Sequence, residues 1–266
     1  GYSFSVISIN FLGVAGVGIW SPILALIVTG FFGLIVGYFL FYGGIYDVFI
    51  GIVTLAITLV FETFMQQTAG PEYAIGPARL NGFNGMQGMP TLGFQDLKFG
   101  LIEGVTQYYF ILFLAAIILL GLYKFKNSKI GLIFLATKED RDRVASLGHN
   151  VQRIQLIAFV IASMLAGISG ILYTNWGGYI TPSSMGLVSA ALPVVWVAAS
   201  GKKDFLSVFV GSIFLVWLSQ TLAINGAQFA IITMGLILVV TTRFFPDGII
   251  LMFKNKLIEK IKWLQS

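Results

Sequence analysis

ILALIVTGFFGLIVGYFLFY, residues 23–42, carries no charged side chain over a length of twenty residues, which is what an α-helix needs to cross a hydrocarbon layer about 30 Å thick. A helix on the surface of a soluble protein shows a polar face at helical spacing. This one is apolar all round, so every side of it must meet lipid or another apolar helix. Scanning outward for runs of the same character gives Phe4 to Gly18, Ile23 to Tyr42, Ile45 to Met65, Gln107 to Tyr123, Ile154 to Tyr173, Phe205 to Ala223 and Ala227 to Thr242, with a shorter run from Gly186 to Ser200. The predicted fold class is therefore all-α, a polytopic transmembrane helix bundle of about seven to eight spans, one of them short and Pro-kinked. In the short run Pro193 removes a backbone donor. It reads equally as a kinked span packed among neighbours or as a broken segment beside a solute pathway.

Composition agrees. Of 266 residues, 57% are hydrophobic and 10% charged, with a mean hydropathy of +0.90, whereas a soluble domain is about a quarter charged. There is no cysteine, which excludes disulfides, thiolate metal sites and cysteine nucleophiles together. The glycines include Gly33 and Gly37 in GxxxG spacing. Ala162, Ala166 and Gly170 with Ser163 and Gly167 put small residues on adjoining stripes of a later span, a pattern that brings helix backbones close together.

A net charge of +5 matters here through its location, because cytoplasmic loops of membrane proteins collect Lys and Arg. Lys124, Lys126, Lys129, Lys138, Arg141, Arg143 and Arg153 crowd one loop, Lys202 and Lys203 a second, and Arg243, Lys254, Lys256, Lys260 and Lys262 the tail. All three regions are expected inside. The hairpin through Asn225 and Gly226 and the segment 66–107, whose positive residues are Arg79 and Lys98, fall outside. In the tail, Ile250, Phe253, Leu257, Ile261 and Leu264 recur at spacings of three and four with lysines elsewhere, predicting an interfacial amphipathic helix. The N-terminus opens in apolar sequence without a basic leader and reads as part of a span, or as the cut end of a longer chain.

Catalytic patterns are missing. His149 is the single histidine and lies in a basic loop, and the chain has no HExxH, no Gly-x-Ser-x-Gly and no GxxxxGK[ST] phosphate loop,. No enzyme activity, cofactor, metal site or nucleic-acid partner is expected. Asp47 and Glu62 are the ionisable residues within or beside a span, each near an end, which weakens a proton-coupled carrier without excluding an ion-coupled secondary transporter or channel. In the loop 124–153, Thr137 is placed to cap a helix Lys138 to Leu147 with Glu139 and Asp140 in its first turn, Gly148 closing it, and Val144 and Leu147 forming a small apolar face,. Such a helix suits a partner with a groove.

These residues carry a family resemblance. ATKEDRDRVASLGHNVQRIQLIAFVIASMLAGISGILY, Ala136 to Tyr173, resembles the cytoplasmic coupling region and following span of LivM-type ABC permeases, importers of branched-chain amino acids or urea. GIYDVFIGIVTLA from Gly44, GFNGMQGMP from Gly82, GYITPSSMG from Gly178 and FFPDGII from Phe244 are similar to further family segments in the family's order. A leading segment of the family is missing, and the usual Gly-Gly after the kinked span reads Ser200 and Gly201. The resemblance implies a permease domain over 1–248 with an external loop at 66–107, a coupling loop at 124–153 and a cytoplasmic amphipathic helix at 249–266. It implies a multi-pass protein of the bacterial inner membrane with a cytoplasmic C-terminus, working with a second permease subunit, ATP-binding-cassette ATPase subunits and an extracytoplasmic solute-binding protein. It places Glu139, Asp140, Arg143 and Gly148, with Thr137 ahead of them, in the ATPase-coupling region; Thr58, Asn84 and Trp196 in the resembling segments, together with Pro193 of the kinked span, are the expected transport-pathway residues. Trp196 and Thr58 resemble the urea branch, Thr54 to Ala56 and Gly88 to Pro90 the amino-acid branch.

Overall fold

The computed structural model describes residues 1–14, 16–46, 48–94, 100–224, 226–245, 248 and 252. Ten α-helices occur among them: α1 (Tyr2–Asn10), α2 (Val17–Tyr42), α3 (Val48–Gln66), α4 (Gly104–Lys126), α5 (Lys129–Glu139), α6 (Arg141–Ser146), α7 (Val151–Gly177), α8 (Leu187–Ser200), α9 (Phe205–Ala223) and α10 (Ala227–Phe244). The all-α polytopic class is therefore as the apolar runs predict. Five helices, α2, α3, α4, α7 and α9, are long and apolar enough to cross a bilayer. Their surfaces are covered with exposed Phe, Leu, Ile and Val, such as Phe31, Phe39, Val48 and Phe113, which only lipid or further apolar protein would solvate.

The first expected span is corrected. Phe4 to Gly18 is not one helix, because α1 ends at Asn10 and α2 begins at Val17 after glycines with φ of 91° (Gly13) and 75° (Gly16). Asn10, at the end of α1, is the one polar residue beside the break, and a single amide does not interrupt the apolar run. A nine-residue helix rises about 14 Å and is too short to span. α2 in turn starts ahead of Pro22, which it accommodates within the helix. α8 likewise continues through Pro193. Its 14 residues rise about 21 Å, short of the hydrocarbon thickness.

The chain divides into two units, Gly1–Gly186 and Leu187–Ser266. In the first, α2 lies along α7, and the two small-residue motifs face each other. A Cβ on Gly33 would fall 2.5 Å from Ser163 Oγ, one on Gly37 2.8 Å from Leu156, and one on Gly167 3.1 Å from Thr29. At Gly33 the facing Ser163 leaves no room for a side chain, and at Gly37 and Gly167 a Cβ fits only if neighbouring side chains give way,. Ala162 and Ala166 face outward instead.

The segment 66–107 is tied to this unit by short strands. β1 (Ala74–Ile75) and β2 (Ala78–Arg79) form a hairpin, β4 (Gly93–Phe94) pairs with β5 (Gly100–Leu101), and β3 (Met86–Gln87) pairs antiparallel with β6 (Tyr179–Ile180), Met86 opposite Ile180. Ala78, Leu80, Met86 and Ile180 pack as a buried cluster there, and Phe4, Ala25, Leu92 and Ile171 form a second. Asn175 on α7 accepts from Leu92 N at 2.8 Å and donates to Ile102 O at 3.2 Å. In the second unit α8, α9 and α10 pack on one another. Asp204 caps α9, accepting from Ser207 N at 3.0 Å and from its hydroxyl at 2.7 Å. Ser200, at the position where the resemblance expects the first of two glycines, is buried and turns its hydroxyl back to Trp196 O. Asp47, Lys98, Asn225, the expected tail helix at 249–266 apart from Met252, and most of FFPDGII lie outside the described residues.

Candidate functional site

Between α4 and α7 the chain builds an elbow of two helices where one was expected. Ser128 opens α5 by accepting from Gly131 N at 3.1 Å. α5 then runs to Glu139, so Thr137 is not an N-cap. Thr137 is buried inside α5, with its hydroxyl donating to Ile133 O at 2.8 Å. The break comes three residues later. Asp140 leaves helical geometry (φ −154°, ψ 105°) and its carboxylate accepts from Arg143 N at 2.9 Å, capping α6. A carboxylate at a helix start also meets the positive end of the helix dipole. Gly148, with φ of 87°, ends the helix as expected, and Asn150 caps α7 by accepting from Arg153 N at 2.9 Å.

The expected apolar face is also corrected. Val144 is buried, 4% exposed, whereas Leu147 is 73% exposed, so the two point to different sides. Val144 anchors α6, and Leu147 projects with the exposed Glu139, Asp140, Asp142 and Arg143. The elbow thus presents a surface of mixed, mainly negative charge with one large apolar side chain, held on a stem that is capped at each joint.

Arg141 belongs to neither set. Half-buried, its guanidinium lies 4.8 Å from the centre of the Tyr46 ring. With the Gln155 amide oriented so that Oε1 faces it, that oxygen accepts from Nη2 at 2.8 Å and Nε at 3.0 Å. Arg141 and Gln155 also line a cavity of about 310 Å³ with Phe134, Thr137, Lys138 and Ile154. No sequence spacing signals this arrangement, since Tyr46, Arg141 and Gln155 come from three separate segments.

The four residues expected from the sequence to line a transport pathway are distributed between the units. Thr58 and Asn84 belong to the first. Thr58 is half-buried on α3, its hydroxyl donating to Thr54 O at 2.8 Å, and Thr54 donates to Ile50 O at 2.8 Å. Asn84 is exposed in a 3-10 turn, Gly82–Asn84, which packs on α3 and on a second such turn, Pro182–Met185. Beside that second turn sits Glu62, weighed above as an ionisable residue near a span end: its Oε1 accepts from Gln66 Nε2 at 3.2 Å and packs against Gly186, where a Cβ would lie 2.8 Å away. In the second unit Pro193 is exposed, and Trp196 holds its indole Nε1 buried without a hydrogen-bond partner. Among the described residues no group of three His, Asp or Glu side chains is placed to hold a metal ion.

Residues 1–242 match the family described as branched-chain amino acid transport system, permease component. The chain is 27% identical to the high-affinity branched-chain amino acid transport system permease protein LivM of Escherichia coli K12, over 60% of this chain and 38% of that protein. It is 26% identical to the LivM protein of Salmonella typhimurium over the same shares. It is 24% identical to the probable LivM permease of Methanocaldococcus jannaschii, over 73% of this chain and 54% of that one. The matched part spans roughly two-fifths to half of these relatives. No solved structure matches. The family match over nine-tenths of the chain, on a framework of long apolar helices, establishes that this protein belongs to the branched-chain amino acid permease-component family.

Proposed function

We propose that the chain is a membrane-spanning permease subunit of an ATP-binding-cassette importer and translocates branched-chain amino acids across a bacterial plasma membrane. The observation that carries the reading is the family match over residues 1–242, and all three relatives above bear the same transport name. The elbow adds physical support, because it is a projection capped at each joint, rich in charge and of a size to seat in a groove on a cytoplasmic ATPase,. Glu139, Asp140, Arg143 and Gly148 shape that projection, and Thr137 anchors its stem. Partner ATPases supply the energy, since the chain has no phosphate loop,. A second permease subunit and an extracytoplasmic solute-binding protein complete the assembly. The Lys/Arg distribution supports a cytoplasmic elbow and C-terminus, with the strand-tied segment 66–107 on the opposite side,.

Thr58, Asn84, Pro193 and Trp196 are assigned to solute contact, Trp196 through its unpartnered N–H. A zwitterionic amino acid needs polar groups for its charged ends and apolar surface for its side chain, whereas urea needs hydrogen bonds and little apolar space. The test is uptake of radiolabelled leucine and of urea in cells lacking their own systems, with the partner subunits co-expressed. Leucine uptake that urea does not compete supports the assignment. Urea uptake alone moves the chain to the urea branch, and uptake that persists without the ATPase makes it an ion-coupled carrier.

A further inference from the structure

Arg141 is held in a way that an exposed loop arginine is not. Its guanidinium faces Tyr46, two residues before the start of α3, and donates twice to Gln155, in the second turn of α7. Cation–π contact and charge-assisted hydrogen bonds are both orientation-dependent, and a planar guanidinium satisfies the two together where a lysine ammonium does not. The helix carrying Arg141 is only six residues long. Val144 is its one buried side chain, so its position relative to the spans depends on few contacts. Arg141 ties it to the root of one span and to the first turns of another.

We infer that Arg141 is a positioning residue that transmits displacement of the α5–α6 elbow to the roots of α3 and α7. This rests on the reading of the elbow as the segment that meets the ATPase. Without the clamp, α6 would still dock but would move independently of the spans, and ATP turnover would no longer be matched by solute movement. The inference concerns transmission and not docking, because the docking side chains Glu139, Arg143 and Leu147 are exposed while Arg141 is turned inward.

Two readouts test it. The first needs no partner: the full chain in lipid nanodiscs, with amide exchange followed over residues 141–147. Tyr46→Leu and Gln155→Leu are expected to speed exchange there about tenfold by releasing the helix, while Tyr46→Phe, which keeps the ring, stays at wild type. The second uses the assembled importer with its ATPase and binding protein in proteoliposomes and measures solute moved per ATP hydrolysed. Tyr46→Leu and Arg141→Met are expected to lower that ratio about tenfold with ATPase co-purification unchanged, and Arg141→Lys to fall between. Equal behaviour of Tyr46→Phe and Tyr46→Leu in both readouts, or a wild-type ratio in Arg141→Met, overturns the inference. Failure of the docking reading shows separately, as unchanged ATPase co-purification in Arg143→Glu, which reverses an exposed charge outside the clamp.

Discussion

Replacing Gly33 with alanine tests the helix pairing at the centre of the first unit. The new Cβ would stand 2.5 Å from Ser163 Oγ and 2.7 Å from Ser163 Cβ, whereas non-bonded heavy atoms settle at about 3.5–4.0 Å. α2 and α7 must therefore part by about 1 Å, or Ser163 must turn. Turning is opposed by the hydroxyl, which donates to Phe159 O at 2.8 Å. Overpacking of this kind costs about 1–3 kcal/mol, partly offset by the about 0.5–1 kcal/mol that alanine gains over glycine in a helix. A net loss of about 1–2 kcal/mol is expected, read as a lower midpoint for unfolding in mixed micelles. Gly51→Ala is the control. It lies in α3 with nothing within 4 Å of its Cβ, so the propensity term acts alone and stability holds or rises. Gly37→Ala falls between, because the atoms it meets are the far ends of Leu156 and Phe159, which can move. Ser163→Gly in the Gly33→Ala background removes both clashing atoms and restores the midpoint. Equal stability of Gly33→Ala and Gly51→Ala, or no rescue by Ser163→Gly, refutes the close pairing.

The other expectations follow from single groups. Asp140→Ala removes the cap on α6 and costs about 1 kcal/mol of local stability, seen as faster amide exchange over 141–147, with Asp140→Asn close to wild type. Gly148→Ala has open space around its Cβ but a φ of +87°, so its cost of about 1–2 kcal/mol is conformational and falls on the same amides. Asn175→Ala leaves Leu92 N and Ile102 O without their side-chain partner, costs about 1–3 kcal/mol, and should sensitise the segment between them to protease in intact membranes. Trp196→Phe deletes a buried donor that nothing satisfies. Thermal stability is expected to hold while uptake falls, and unaltered uptake would remove Trp196 from the pathway.

Much of the fold was legible because lipid imposes a simple rule: a run of apolar residues long enough to cross must be a helix. The boundaries of α9 coincide with the apolar run, and those of α3, α4, α7 and α8 lie within a few residues of theirs. The rule failed where the break was itself apolar. Between α1 and α2 the chain turns at Gly13 and Gly16 by glycine conformation, which hydropathy does not register. It also gave no sign of α5, whose apolar residues sit in a basic loop too short to span.

The site divides along the same line. Sequence alone determined that the chain spans a membrane, which loops carry positive charge, which glycines sit in packing motifs and where α6 ends, because each depends on local composition or on one backbone angle. Only tertiary structure decided that Gly33 faces Ser163, that Asp140 and not Thr137 caps α6, that Val144 and Leu147 part company, and that Arg141 meets Tyr46 and Gln155. Those outcomes depend on how distant segments close on one another. A helix buried in lipid is apolar on every side, so its sequence does not mark which face will find a partner.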